Sequence, residues 1–131
     1  MGYLLDTDAI IHILAGKAQA VTLFKQVQVT DIAISIVTVG EIYEGAFSYA
    51  HPQAHLNSFR QFLAQFSLLT LNDPIMERFA EIRSLLRRQG KLIADFDLLL
   101  GATALHHNLT VLTYNTRHFS RIPELRVHTP A

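Results

Sequence analysis

Cysteine is absent from the 131 residues. Its absence excludes disulfide frameworks, thiolate zinc sites and cysteine nucleophiles together, and it suits a reducing cytosol. Also missing is any apolar run near the roughly 18 residues that span a bilayer, so no membrane-crossing segment is expected. The start, Met-Gly-Tyr-Leu-Leu-Asp, has no basic region ahead of an apolar one and does not read as a secretory signal. Asp6 stands where a myristoylation pattern needs Ser or Thr. An excess of either charge is lacking too, with Lys plus Arg equal to Asp plus Glu at 11 each. A nucleic-acid binder working through overall charge would be basic, so attraction to nucleic acid would have to come from a local patch. These absences lead to the expectation of a soluble, cytoplasmic protein.

What the chain has in quantity is apolar surface. Half of its residues are hydrophobic, enough to fill a core without disulfides, and the length fits a single domain over 1–131. Strand-length apolar runs alternate with stretches of helical periodicity. Tyr3-Leu4-Leu5 predicts a first strand, with Asp8 capping a short helix through Leu14 and a second helix over Val21–Val27. Ile32–Ser35 predicts the next strand, followed by a helix from Thr38 to about Tyr49. His51-Pro52 breaks the pattern. Leu56, Phe59, Phe62, Leu63 and Phe66 then recur at helical spacing before a strand at Leu68–Leu71. Asn72-Asp73-Pro74 is a cap with proline in the first turn, opening a helix that stops at Gly90. A helix over Phe96–His107, a strand at Thr110–Thr113 and an edge strand at Leu125–His128 complete the reading. Such alternation implies an α/β fold, a parallel sheet covered by helices on both faces.

In sheets of this kind ligands bind beyond the carboxyl ends of the strands. Asp6 ends the first strand, Glu41 follows the second, Asp97 opens a late helix, and Asn115 follows the strand after it, so all four can converge. Each also has a plainer reading. Asp6 can serve turn chemistry, and Glu41 completes a Thr38-x-x-Glu41 capping box. Asp95 reads as the cap of its helix, which leaves Asp97 in the first turn, where the helix dipole favours its charge. Carboxylates crowded at one edge repel, and one must take up a proton unless a cation intervenes. Magnesium relieves that conflict with oxygen ligands alone, and manganese can substitute. The seven histidines show no zinc spacing. His106 and His107 read as surface or helix-end residues; His118, near Asn115, reads as a surface residue, with an approach to substrate as the alternative. Asp6-Thr7-Asp8 after a strand also resembles the haloacid-dehalogenase phosphotransferases, but Lys91 is the only lysine beyond residue 25 and stands in a loop.

Four segments together, YLLDTDAIIHIL, SIVTVGEIYEGA, LIADFDLLLGATAL and VLTYNTRHFSRIPEL, resemble the PIN domain, specifically the VapC-type toxins of bacterial toxin–antitoxin pairs. The resemblance runs in order along nearly the whole chain. It implies a three-layer α/β/α sandwich, a magnesium-dependent endoribonuclease, a homodimer, and inhibition by a cognate antitoxin protein. By position it makes Asp6, Glu41 and Asp97 the catalytic acids, with Asp6 and Asp97 the usual direct metal ligands. The fourth position, often Asp, is Asn115, a neutral amide that weakens the hold on a second metal. Thr38, Thr113 and Asp95 become supporting residues. Two basic groups could meet RNA phosphates: Arg83, Arg87, Arg88 and Lys91 on and after one helix, and Arg117 and Arg121 after Asn115. The first group equally complements a helix dipole. A non-catalytic module of the same fold, binding RNA or protein, is the alternative.

Overall fold

The computed structural model describes residues 2–130. Its sheet has five strands, all parallel, in the order β3-β2-β1-β4-β5. They are β1 (Tyr3–Leu5), β2 (Ile32–Ser35), β3 (Ser67–Leu69), β4 (Thr110–Leu112) and β5 (Val127–His128). Between them run α1 (Thr7–Leu14), α2 (Ala18–Gln26), α3 (Ile36–Ala46), α4 (Pro52–Leu63), α5 (Asp73–Arg88), α6 (Asp95–His107) and the short α7 (Thr116–Phe119). This is the expected α/β/α sandwich. Among the described residues no helix is long and apolar enough to cross a membrane.

Strand alternation divides the core between the two faces of the sheet. Leu4, Ala33 and Val111 pack with Ile75, Ile82, Leu86, Leu98 and Phe119, from α5, α6 and α7. Leu5, Ile32, Ile34 and Leu112 pack with Ile10, Ile42 and Phe66, under α1, α3 and α4. Successive strand residues point to opposite faces, so strands buried on both sides must be apolar throughout. That is why these segments read as continuous runs.

Four helix starts differ from the sequence reading. Asp6, not Asp8, is the N-cap of α1, its Oδ1 accepting from the Thr7 amide at 2.8 Å. Helix α3 begins at Ile36, and its cap is Ser35, whose Oγ accepts from the Val37 amide at 3.1 Å. Thr38 therefore lies inside the first turn and no capping box with Glu41 forms. Ser35 ends a buried strand and already has a hydroxyl at the point where the chain turns into the helix, so it takes the role three residues earlier. Helix α6 starts at Asp95 with Ala94 at its cap and no side-chain bond there. Asp95 turns outward instead, to Arg83. The Asn72 cap of α5 is as expected, with Oδ1 accepting from the Ile75 amide at 3.0 Å. Helix α2 begins three residues ahead of Val21, at Ala18, and Phe66 falls beyond the end of α4.

Gly101 fixes how closely the two late elements approach. A Cβ there would stand 2.4 Å from Ile122 Cδ1 and 3.5 Å from Leu125 Cδ2. The segment after β4, which carries Asn115 and His118, is thereby seated against the helix that carries Asp97. Gly101→Val should cost about 1–3 kcal/mol, the usual range for overpacking, read by chemical denaturation. Thr38 generates a second expectation. Its hydroxyl is fully buried and has no hydrogen-bond partner among the described residues. Thr38→Val replaces it with a methyl of similar shape, so the melting temperature should hold or rise. A loss above about 1 kcal/mol would reveal a partner for the hydroxyl.

Candidate metal and phosphate site

Strand β1 has β2 on one side and β4 on the other, so the chain's crossovers diverge at the β1–β4 boundary. A crevice opens at such a switch point, beyond the carboxyl ends of the strands. Asp6 and Thr113 immediately follow these two strands. The Asp6 amide still donates to the Leu112 carbonyl at 2.9 Å, extending the ladder by one residue. Thr113 is fully buried, and its hydroxyl lies 2.8 Å from Asp6 Oδ2 and 3.3 Å from both oxygens of Asp8. One hydroxyl carries one hydrogen, and the shorter distance gives it to Asp6. Asp8 is held instead by the Tyr114 amide, 3.2 Å from each carboxylate oxygen. Tyr114 in turn stacks on His12 at a centroid distance of 4.1 Å, and the His12 ring nitrogen Nδ1 lies 2.7 Å from the Asp8 carbonyl.

Glu41 enters from α3. Its Oε1 accepts from the Thr7 hydroxyl at 2.8 Å, which couples the first turn of α1 to α3. Asp97 sits in the first turn of α6, mostly buried, with Oδ2 3.3 Å from His118 Nδ1. Asn115 precedes α7. Its amide N–H donates to Thr113 Oγ1 at 2.9 Å, and its side-chain amide lies 2.8 Å from the same His118 nitrogen. Four acids, Asp6, Asp8, Glu41 and Asp97, thus interact with one another through space. Thr7 and Asp8 are members that the sequence reading assigned elsewhere or passed over, and His118 one that it set near Asn115 as a surface residue. The signal for the first two was the Asp6-Thr7-Asp8 triplet at a strand end.

The electrostatics follow from burial and like charge. Asp6 is held at about 7 against an ordinary 3.8, first by burial and then by the charge of Asp8, with the Thr113 and Thr7 bonds opposing. Burial also raises Asp8, against the bonds from Tyr114 and Thr113. Glu41 is raised by burial, with Asp97, Glu44 and Asp8 adding to the shift and the Thr7 bond opposing it. Among the described residues no three acidic or histidine side chains stand close enough to enclose an ion unaided. The donors are hard oxygens in a repelling group, which suits a cation that keeps much of its water shell.

The supporting residues and the basic groups divide. Thr113 lies at the centre of the site. Thr38 makes no bond to Glu41, whose partner is Thr7. Asp95 is exposed and pairs with Arg83 at 2.9 Å, away from the four acids. Arg88 lies against Ser84 in α5, and Arg87 and Lys91 are exposed. Arg121 donates to the Lys91 and Leu92 carbonyls at 3.3 Å, tying the loop before α6 to the segment after α7. Arg117 is exposed on α7, two residues from Asn115.

A stability profile tests the Asp6 environment. The folded protein retains on Asp6 a proton that the unfolded chain releases above about pH 4, so the unfolded state binds fewer protons from there to about pH 7. This contribution to stability must therefore fall as pH rises through that window and level off beyond it. In chelator, Asp6→Asn should remove this fall and raise the melting temperature more at about pH 8 than at about pH 4. Equal gains at both would show that Asp6 titrates normally.

Comparison with known proteins agrees with the fold. The PIN domain family model matches residues 3–125. Ribonuclease VapC2 of Haemophilus influenzae is 29% identical over 125 residues, covering 95% of this chain and 94% of that protein. The tRNA(fMet)-specific endonuclease VapC of Shigella flexneri is 28% identical over 124 residues, covering 95% and 94%. Among solved structures, DNA-bound VapBC from Salmonella typhimurium aligns with a TM-score of 0.91 at 25% identity, covering 100% of this chain and 99% of the other. FitAcB from Neisseria gonorrhoeae aligns with a TM-score of 0.87 at 28% identity, covering 98% and 97%. Carboxylates gathered at the switch point of a parallel sheet, and relatives matched along its length, place this chain in the PIN-domain family, beside the VapC proteins.

Proposed function

We propose that the protein is a magnesium-dependent endoribonuclease, the toxin of a toxin–antitoxin pair, acting in the cytoplasm as a homodimer restrained by a cognate antitoxin. The observation that carries the reading is the convergence of Asp6, Asp8, Glu41 and Asp97, with Asp6 buried and held at about 7 by that burial and by the charge of Asp8. The ribonuclease names of the relatives, and solved neighbours named as VapBC complexes, support the activity and the partner.

In this reading Asp6 and Asp97 would hold the magnesium ion, with Glu41 beside it, and manganese could take its place. When bound, magnesium supplies Lewis-acid polarisation of the phosphoryl group and a more acidic water. Thr113, by donating to Oδ2, fixes the rotamer of Asp6, while the Thr7 amide holds Oδ1. Glu41 is anchored at Oε1 by Thr7, which leaves Oε2 to accept the proton of an attacking water. Its raised affinity for a proton suits a general base, whose pKa works best near the operating pH. Attack at phosphorus in line with the leaving oxygen breaks the phosphodiester. Arg117, with Arg87, Arg88 and Lys91 further out, supplies the local positive charge that the neutral chain lacks overall.

Cleavage of an initiator tRNA transcript, the substrate class in the name of the Shigella flexneri relative, should require magnesium or manganese and stop in excess chelator. Asp6→Asn and Asp97→Asn should each lower the rate by roughly a hundredfold or more, about 2.7 kcal/mol of barrier, with the fold retained by circular dichroism. Persistent cleavage in chelator would refute the metal mechanism, and near-normal rates in both variants would refute the residue assignment.

A further inference from the structure

One nitrogen at the end of β4 faces two neighbours. His118 Nδ1 lies 2.8 Å from Asn115 Nδ2 and 3.3 Å from Asp97 Oδ2. A ring nitrogen either carries a hydrogen and donates or presents a lone pair and accepts. Were Nδ1 to accept from the Asn115 NH2, its lone pair would face the Asp97 carboxylate, with Asp97 only 17% exposed. Two electron-rich atoms would then oppose each other where water screens poorly. With the hydrogen on Nδ1, that opposition is lifted. The single hydrogen goes to the nearer neighbour, the Asn115 carbonyl oxygen, once a half-turn of the amide exchanges nitrogen and oxygen within the same outline. The Asp97 carboxylate then faces an N–H at longer range instead of a lone pair. This arrangement holds whether the ring is neutral or charged.

We infer that His118 is a positioning residue that turns the Asn115 carbonyl toward the imidazole and its NH2 away, as a donor to a phosphate oxygen of the RNA. Asn115 is then a substrate-binding group and not a neutral stand-in for a fourth metal-binding carboxylate. Its main chain is held on both sides, since the Asn115 amide donates to Thr113 Oγ1 and its carbonyl accepts from the His118 amide at 3.2 Å. Beyond the contact with His118, its side chain makes no hydrogen bond among the described residues, and the residue is partly exposed. A phosphate approaching Asp6, Asp8, Glu41 and Asp97 needs N–H donors as well as a cation. A neutral NH2 provides two hydrogens without repelling the cation as a full positive charge would. The identity of the group that meets the NH2 rests on the ribonuclease reading; the orientation of the amide does not.

Two measurements separate these. Nitrogen-15 spectra of the metal-free protein, taken where His118 is neutral, should show the hydrogen on Nδ1, and a ring protonated only on Nε2 would overturn the inference. Asn115→Leu removes both the donors and the oxygen with little change in size and none in charge. It should raise KM for the initiator tRNA transcript about tenfold, the worth of one hydrogen bond to a charged group. The turnover number and the manganese affinity by calorimetry should change by less than about threefold, within the scatter of such single-contact effects. Loss of manganese affinity with KM unchanged would mean that the Asn115 oxygen faces the cation, and the inference would fail. His118→Leu should raise KM as Asn115→Leu does, and His118→Gln, which keeps an N–H donor, should recover part of it. A parent protein that cleaves no RNA would count against the ribonuclease reading, while the nitrogen spectra would still decide the orientation.

Discussion

Strands β1 and β4 lie side by side, and at their shared end a buried threonine hydroxyl sits 2.8 Å from one aspartate and 3.3 Å from another. Much of the site depends on this contact. Thr113 has one hydrogen to give, and two carboxylates compete for it. Asp6 takes it, yet burial and the charge of Asp8 still hold Asp6 at about 7. Asp8 turns to the Tyr114 amide, and Thr113 Oγ1 in turn accepts from the Asn115 amide. The first turn of α1 and the turn after β4 are thereby locked together. Asp97 and Glu41 reach the same place from α6 and α3, so four separate chain segments contribute acids or their partners.

Such a group is costly to the fold, and the surrounding core shows how it is tolerated. Leu4 and Leu5, the residues ahead of Asp6, are fully buried on opposite faces of the sheet, as are Val111 and Leu112 ahead of Thr113. Apolar packing on both sides fixes the strand ends, so repulsion among the acids cannot relax by moving the backbone apart. The remaining outlets are a retained proton or a bound cation, and both take up the same excess charge.

The sheet and its order of elements were legible because strands buried on two faces leave uninterrupted apolar runs, and helices with one buried face leave a helical period. Asp6, Glu41, Asp97, Asn115 and Thr113 were legible as residues that follow strands or open helices. The division of labour among them was not. Asp8 looked like a cap because an aspartate before an apolar helical stretch usually is one, but its partner is the Tyr114 amide, more than a hundred residues away. Thr38 and Glu41 had the spacing of a capping box, yet Ser35 supplies the cap and Thr7 supplies the partner of Glu41. Local patterns report what a residue can do for its own helix. They are silent when a distant strand end offers a better partner.

The same limit applied to His118, which in sequence is one of seven histidines with no zinc spacing. Its position matters because the turn into α7 returns its ring toward Asn115 and Asp97. Gly101 permits that return by leaving room for Ile122 against α6. A larger residue would displace the segment that carries Asn115 and His118, and with it the contact between the imidazole and Asp97. Asp6 and Thr113 are therefore placed by strand ends and Glu41 by α3, while Asn115 and His118 are placed by the close approach between α6 and the chain after α7. A substitution at Gly101 can accordingly shift Asn115 and His118 while leaving Asp6 and Thr113 at their strand ends.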